Sequence, residues 1–401
     1  KRLRRHEAVE DETPPKTFIL GGGSVHAPQN AVAPGVLSAF PIDAETEPAM
    51  VPSSVQGRRL ALGRWIASPD NALAMRSIVN RVWHYHFGKG LAANANNFGK
   101  TGARPTHPEL LDWLAARFID DGFSIKALHR RIMTSATYRQ SGRHPASEEL
   151  REQDPDNELL AYFAPRRLAA EELRDTMLAV SGELQRDVGG LPVRPEINMD
   201  VALQPRKLQG SLAPVYQPSR TPTERNRRSI YIYRMRGQAD PILEVFNQPG
   251  TDASCEARDV LITTPQVFAL MNSAAVTDRS IAMAVRIEGM AEDWPTRVEY
   301  AVRDAFGRVP TDSEKTLLVE YVREMIDYHR DVWPETIPLP GRIERSVVEE
   351  MSGLAFDYVE RLDVYEDYVP DAKPWGVGAE TRALADLCMV LFNANEFVYV
   401  Y

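Results

Sequence analysis

The sequence predicts a mainly α fold: a multi-helix globular domain with a minor β element and long irregular loops. Apolar residues recur at three- and four-residue spacing through most of the chain beyond residue 57. Helix-start signals of the Thr-x-x-Glu kind stand directly before two of those runs. Alternation of period two, the mark of a half-buried strand, is confined to two short segments.

In chain order, residues 1–56 hold Gly21-Gly22-Gly23, Pro28, Pro34-Gly35 and Pro52 with little periodicity. They read as an extended lead-in with one short strand at Thr17–Leu20. Residues 57–401 read as the helical domain. Leu60, Leu62, Trp65 and Ile66 give a short helix stopped near Pro69, and residues 72–87 give a longer one ended by Gly88. Thr106-His107-Pro108-Glu109 has the form of a capping box before Leu110, Leu111, Trp113, Leu114 and Phe118. Ser124 caps the next helix, and another spans roughly residues 169–184. The stretch from Leu191 to Pro222 is proline-rich and irregular, joining possible sub-lobes 57–185 and 228–401. It leads to the best strand candidate, Ser229 to Arg234. Beyond it the chain is helical again, with Pro265 in a first turn, a second capping box at Thr311 to Glu314, and an apolar helix from Leu384 to Phe392.

Composition narrows the function classes. With 43% hydrophobic and 26% charged residues, a sizeable core is available. The 56 acidic residues outnumber the 47 Lys and Arg, which argues against a nucleic-acid partner, and no apolar run is long enough to span a membrane. Cys255 and Cys388 exclude a disulfide-rich scaffold and a four-cysteine zinc site; a bridge between them and two separate thiols both fit. The basic start, Lys1 to Arg5, is followed by acidic residues and is no signal peptide, so the true N-terminus is expected upstream. There is no C-x-x-C-H, P-loop, G-x-G-x-x-G, H-E-x-x-H or G-x-S-x-G string, and neither a cofactor nor a metal is expected.

Several strings point to one family. They are Asn80-Arg81-Val82-Trp83, Phe87-Gly88-Lys89-Gly90-Leu91, Asn97-Phe98-Gly99, and Pro105 through Leu114. Ser135 to Gln140, Arg166-Arg167-Leu168, Arg174-Asp175, Arg228-Ser229-Ile230-Tyr231, Thr264-Pro265-Gln266 and the terminal Asn393 to Val400 complete the set. Together they resemble the domain-of-unknown-function 1553 family, the C-terminal part of planctomycete-type exported proteins. The resemblance implies an exported, periplasmic or cell-surface location and an upstream cytochrome-c-like or other domain as partner. It implies no activity. The chain departs from the family pattern at Tyr85, where a His is frequent, and at Phe246 to Gly250, where acidic residues often flank the proline.

The candidate pocket residues are Asn80, Arg81, His84 and His107. Arg76, Asn80 and His84 share one helix face at four-residue spacing, and His84 titrates near neutral pH, so this face suits acid–base work on an anionic substrate. A polar stripe that binds loops to the helix explains the same spacing. His84 and His86 diverge by about 200° on a helix, which disfavours a shared metal. Asp154, Asp156 and Asn157 read as a turn, since the calcium-loop glycine and distal Glu are missing. Arg166, Arg167, Arg228 and Tyr231 are the candidate ligand-binding residues, the last two within an Arg/Tyr cluster that also holds Arg220, Arg225, Arg227, Arg234, Arg236 and Tyr233. That cluster suits phosphate, sulfate or uronate groups, or ion pairing with the acidic C-terminal third. The functional expectation is a module binding an anionic glycan or a protein partner. Alternatives are a polysaccharide-directed hydrolase built on the four pocket residues and a docking module for a cytochrome-c-like domain.

Overall fold

Side-chain caps and left-handed glycines set most helix boundaries. The computed structural model describes residues 16–36, 51–52, 54–144, 147–208, 211–235, 237–251, 255, 258, 261–349 and 351–401. The chain divides into two units, Lys1–Ala164 and Pro165–Tyr401.

In the first unit, β1 (Thr17–Leu20) pairs antiparallel with β2 (Pro28–Val32), so the expected lead-in strand is present. Among the described residues five helices follow: α1 (Arg58–Ile66), α2 (Ala72–Phe87), α3 (Pro108–Asp120), α4 (Ile125–Met133) and α5 (Ser147–Gln153). Asn71 caps α2 by accepting from Ala74 N at 3.1 Å, and Gly88 ends it at φ 77°, a backbone state that favours glycine. Ser124 caps α4 as anticipated. The capping box at Thr106 does not form. α3 starts at Pro108 with His107 as its N-cap, and the Thr106 hydroxyl donates instead to Leu91 O at 3.3 Å. The loop after α2 outcompetes the helix for that hydroxyl. Val79, Trp83, Leu111, Leu114, Leu128 and Ile132 close the core between α2, α3 and α4.

The second unit holds β3 (Arg166–Arg167), α6 (Ala170–Ser181), α7 (Met199–Ala202), the hairpin β4 (Arg206–Leu208) and β5 (Ser211–Ala213), α8 (Pro222–Arg225) and α9 (Pro241–Val245). Then come α10 (Thr264–Asn272), α11 (Ala274–Glu288), α12 (Trp294–Phe306) and α13 (Asp312–Asp331). A seven-residue hairpin, β6 (Arg342–Val348) and β7 (Ala355–Arg361), precedes α14 (Ala379–Asn393), α15 (Asn395–Val398) and β8 (Tyr399–Val400), which returns to pair with β3. α14 is the central helix. Ala383, Leu384, Leu387, Cys388 and Phe392 are fully buried there against Val276, Met283, Ala284 and Ile287 of α11 and Val322 of α13. Each large side chain so buried contributes about 1.5–3 kcal/mol. Cys388 is a free thiol in this core, pushed up by burial.

The fold is mainly α, as the periodicity indicates. Two further local expectations are corrected. Ser229 to Arg234 is no strand: Ser229–Tyr231 is a 3-10 turn, because the Ser229 amide and hydroxyl both donate to Asp175 Oδ1, at 2.8 and 2.7 Å. Only an isolated bridge between Val193 and Ile232 remains extended. The C-terminal third contains the β6–β7 hairpin as well as helix. Its alternation was disguised because the buried position is Arg345, paired with Glu360 at 2.8 Å.

Candidate functional site

A cavity of about 360 Å³ lies within the second unit, walled by Met177, Leu178, Ile197, Val201 and Ile242 and closed at one end by charged groups. The charged groups and their partners arrive on four separate stretches of chain. α11 supplies Asp278 and Arg279, the segment before α7 supplies Glu196, the residues around the end of α8 supply Arg225 and Asn226, and the chain before α14 supplies Tyr368, Asp371 and Lys373.

These groups form one continuous network. Lys373 Nζ donates to Glu196 Oε1 at 2.6 Å and to Asp278 Oδ2 at 2.7 Å. The Tyr368 hydroxyl donates to Glu196 Oε2 at 2.6 Å. Arg279 joins Asp371 at 2.8 Å and Glu183 at 3.1 Å. Arg225, wholly buried, donates to Asp371 Oδ1 at 3.0 Å and to three main-chain carbonyls, and its guanidinium stacks 4.5 Å from the Tyr368 ring centre. Asn226 adds a bond to Asp371 at 3.3 Å.

Burial and charge act in opposition here. Burial pushes the Asp278 carboxyl up to about 6, outweighing the Lys373 ammonium beside it. Burial also raises Glu183 and Asp240. At Asp371 burial is outweighed by Arg279 and Arg225, which hold its carboxyl below the usual range. Burial likewise acts against the charged Lys373, yet Asp278 and Glu196 keep it above its ordinary value. One oxygen each of Glu196, Asp278 and Asp371 lies within 4.8 Å of the others, a donor set that suits a hard cation. The Lys373 ammonium bridges two of the three and already supplies positive charge at that place.

The residues singled out from sequence occupy other positions. Asn80 is buried on α2 and exchanges two 2.9 Å bonds with the main chain of Ala92, while Arg76 pairs with Asp112 of α3. Arg81 donates to Asn96 Oδ1. His84 sits edge-on to Tyr85, and His86 meets His129 with Nε2 and Nδ1 2.7 Å apart. His107 Nδ1 lies 3.0 Å from the Thr106 hydroxyl at the start of α3. A small cavity of about 90 Å³ beside α2 is lined by none of Asn80, Arg81, His84 and His107. Asp154 and Asn157 accept local main-chain bonds, as a turn requires.

In the second unit, Arg166 forms a two-pronged pair with Glu172, at 2.7 and 3.1 Å. Arg167 donates to Leu261 O and to Gln266 Oε1, at 2.8 and 2.6 Å. Arg228 faces Asp175 at 3.9 Å, and the Tyr231 hydroxyl accepts from Gly189 N at 2.9 Å beneath the Arg227 guanidinium. None of these four lines the 360 Å³ cavity. Among the described residues the Arg cluster pairs with the acidic C-terminal third at two points, Arg225 with Asp371 and Arg220 with Asp367, and Arg236 lies outside the described residues.

Sequence reasoning missed Glu196, Asp278, Arg279 and Lys373. The available signal was the Asp278-Arg279 pair set among apolar residues of α11, where two charges persist only with buried partners. No curated protein and no solved structure matches the chain. A family model described as "Protein of unknown function (DUF1553)" matches residues 58–322, and the chain belongs to that family.

Proposed function

We propose that this chain is a binding module for a neutral, hydroxyl-rich ligand of the glycan type, seated in the cavity of the second unit. The observation that carries the reading is ion pairing. The lining carboxylates Glu196 and Asp278 are both paired with Lys373, and Asp371 is paired with Arg279 and Arg225. Ions locked in pairs retain hydrogen-bonding capacity but offer little net charge to an anion or a cation. Hydroxyl groups fit that end, and the C–H face of a sugar ring fits the apolar walls. This chemistry favours a neutral glycan over an anionic one. The export implied by family kinship is consistent with a ligand met at the cell envelope.

Thermal-shift measurement against neutral, uronic and sulfated glycans tests the reading, since a ligand that prefers the folded state raises its apparent stability. Neutral sugars should shift the wild type, and Ala274→Trp, which places bulk at the exposed lining position of α11, should remove the shift. A shift by sulfated sugars alone, or one unaffected by Ala274→Trp, sinks it.

One observation favours a second reading, hydrolysis of a glycosidic bond. Burial raises the Asp278 carboxyl to about 6, and one of its oxygens lies within 4.8 Å of those of Glu196 and Asp371, a close spacing like that of an acid and a nucleophile. Release of a chromogenic aglycone by the wild type, lost in Asp278→Asn with folding intact, supports hydrolysis. Absence of turnover on any glycan that binds rejects it.

A further inference from the structure

A second cavity, of about 620 Å³, adjoins the first within the same unit. Ile197, Val201, Asp240 and Pro241 line both. The shared wall is therefore built from the residues around α7 and from the start of α9. It is a fixed wall: Asp240 Oδ1 accepts from Ile242 N and Leu243 N, at 3.0 and 3.2 Å, which locks its side chain to the first turn of α9.

The second cavity has its own chemistry. Tyr233 lines it and is 44% exposed, with Arg194 over its ring at 5.1 Å. Tyr216 lines it too, held by a 2.7 Å bond from its hydroxyl to Pro195 O. Gln238 is the unusual member. Both of its side-chain amide atoms are buried and have no hydrogen-bond partner among the described residues. A buried primary amide with neither donor nor acceptor engaged is disfavoured, and turning it into the adjacent cavity onto hydroxyl groups relieves that penalty.

Resting on the glycan-binding reading above, we propose that the two cavities form one extended seat, the second being an additional subsite for the next unit of a neutral oligosaccharide, held by Tyr233 and Gln238. An aromatic face with a nearby amide suits a sugar ring, whose C–H face packs on the π-system while its hydroxyls bond the amide. The combined space approaches the upper end of ligand pockets, about 1,000 Å³, more than one ring requires. Arg234 and Glu244, of opposite charge, also line it, and Arg234 donates to Pro249 O. The ligand that fits is therefore an oligomer crossing the Asp240 wall, its first unit against Asp278 and Asp371 and its second against Tyr233.

Calorimetric titration of the full chain with neutral gluco-, manno- and xylo-saccharides of one to four units tests this. Affinity should rise about tenfold or more between one and two or three units in at least one series. Gln238→Ala and Tyr233→Ala should each remove that gain while leaving single-unit affinity within roughly twofold, and Asp278→Asn should weaken every length. Tyr233 is exposed, so its variant should fold even if Gln238→Ala does not. Equal affinity for one and four units, or a length gain that survives both substitutions, overturns the second subsite and leaves the first seat standing. Failure of every sugar to bind the wild type overturns both.

Discussion

Arg225 and Asp371, 146 positions apart in sequence, meet at 3.0 Å with their side chains 0% and 5% exposed. The same guanidinium donates to Ser219 O, Arg220 O and Val369 O, so one side chain ties the end of the proline-rich stretch to the chain before α14.

Removing it should destabilise the second unit severely. Arg225→Ala leaves Asp371 with one cation fewer and several buried carbonyls unpaired, a loss of about 3–5 kcal/mol in urea unfolding. Arg225→Lys should recover only a minor part, because one ammonium cannot span acceptors arranged for a planar fork. A loss below about 1 kcal/mol for the Ala variant contradicts this role.

Asp278 gives a pH dependence of defined sign. Its folded-state pKa, about 6, lies above the ordinary 3.8, so the folded chain holds a proton that the unfolded chain releases. The stability this contributes is complete below pH 3.8 and is lost as pH rises through about 6. Relative to Asp278→Asn, the wild type should lose on the order of 3 kcal/mol between those limits. Parallel stability curves for the two proteins refute the assignment.

Asn80 and Gly90 form one junction in the first unit. A Cβ on Gly90 would stand 2.7 Å from Ala92 O and 2.8 Å from Asn80 Nδ2. Asn80→Ala should destabilise by roughly 2–4 kcal/mol, since two buried main-chain groups of Ala92 lose their partner. Gly90→Ala should also destabilise, and the double variant should cost clearly less than the sum. Additive losses would separate the two sites.

Two similar strings should respond differently to Ala. At Thr311 both capping bonds exist, Glu314 N donating to Thr311 Oγ1 at 3.3 Å and Thr311 N to Glu314 Oε2 at 2.7 Å. Thr311→Ala should cost about 1 kcal/mol. Thr106→Ala loses the 3.3 Å bond to Leu91 O and the exposed 3.0 Å contact with His107 Nδ1, but no cap, and should cost about 0.5 kcal/mol or less. Equal losses would mean that the Thr106 box forms in solution.

The helices were legible because periodicity and punctuation are local. α2 occupies the span its apolar face and Gly88 define, and α13 starts where Thr311 and Glu314 place it. Failure came where a distant group captured a local one. Asp175 bends Ser229 out of a strand, and Leu91 takes the hydroxyl of Thr106. The β6–β7 hairpin escaped for the opposite reason, since its inward position is an arginine and hydropathy reads that as outward.

By itself the sequence determined the helical class, most helix limits and the family, since each rests on neighbouring residues or short strings. The tertiary structure alone decided which charges matter. Glu196, Asp278, Asp371 and Lys373 are scattered over 178 positions, and apart from Asp278 they look like ordinary surface residues in the sequence. Burial converts them into a paired network, because removal from water makes each charge depend on the partners that folding brings to it.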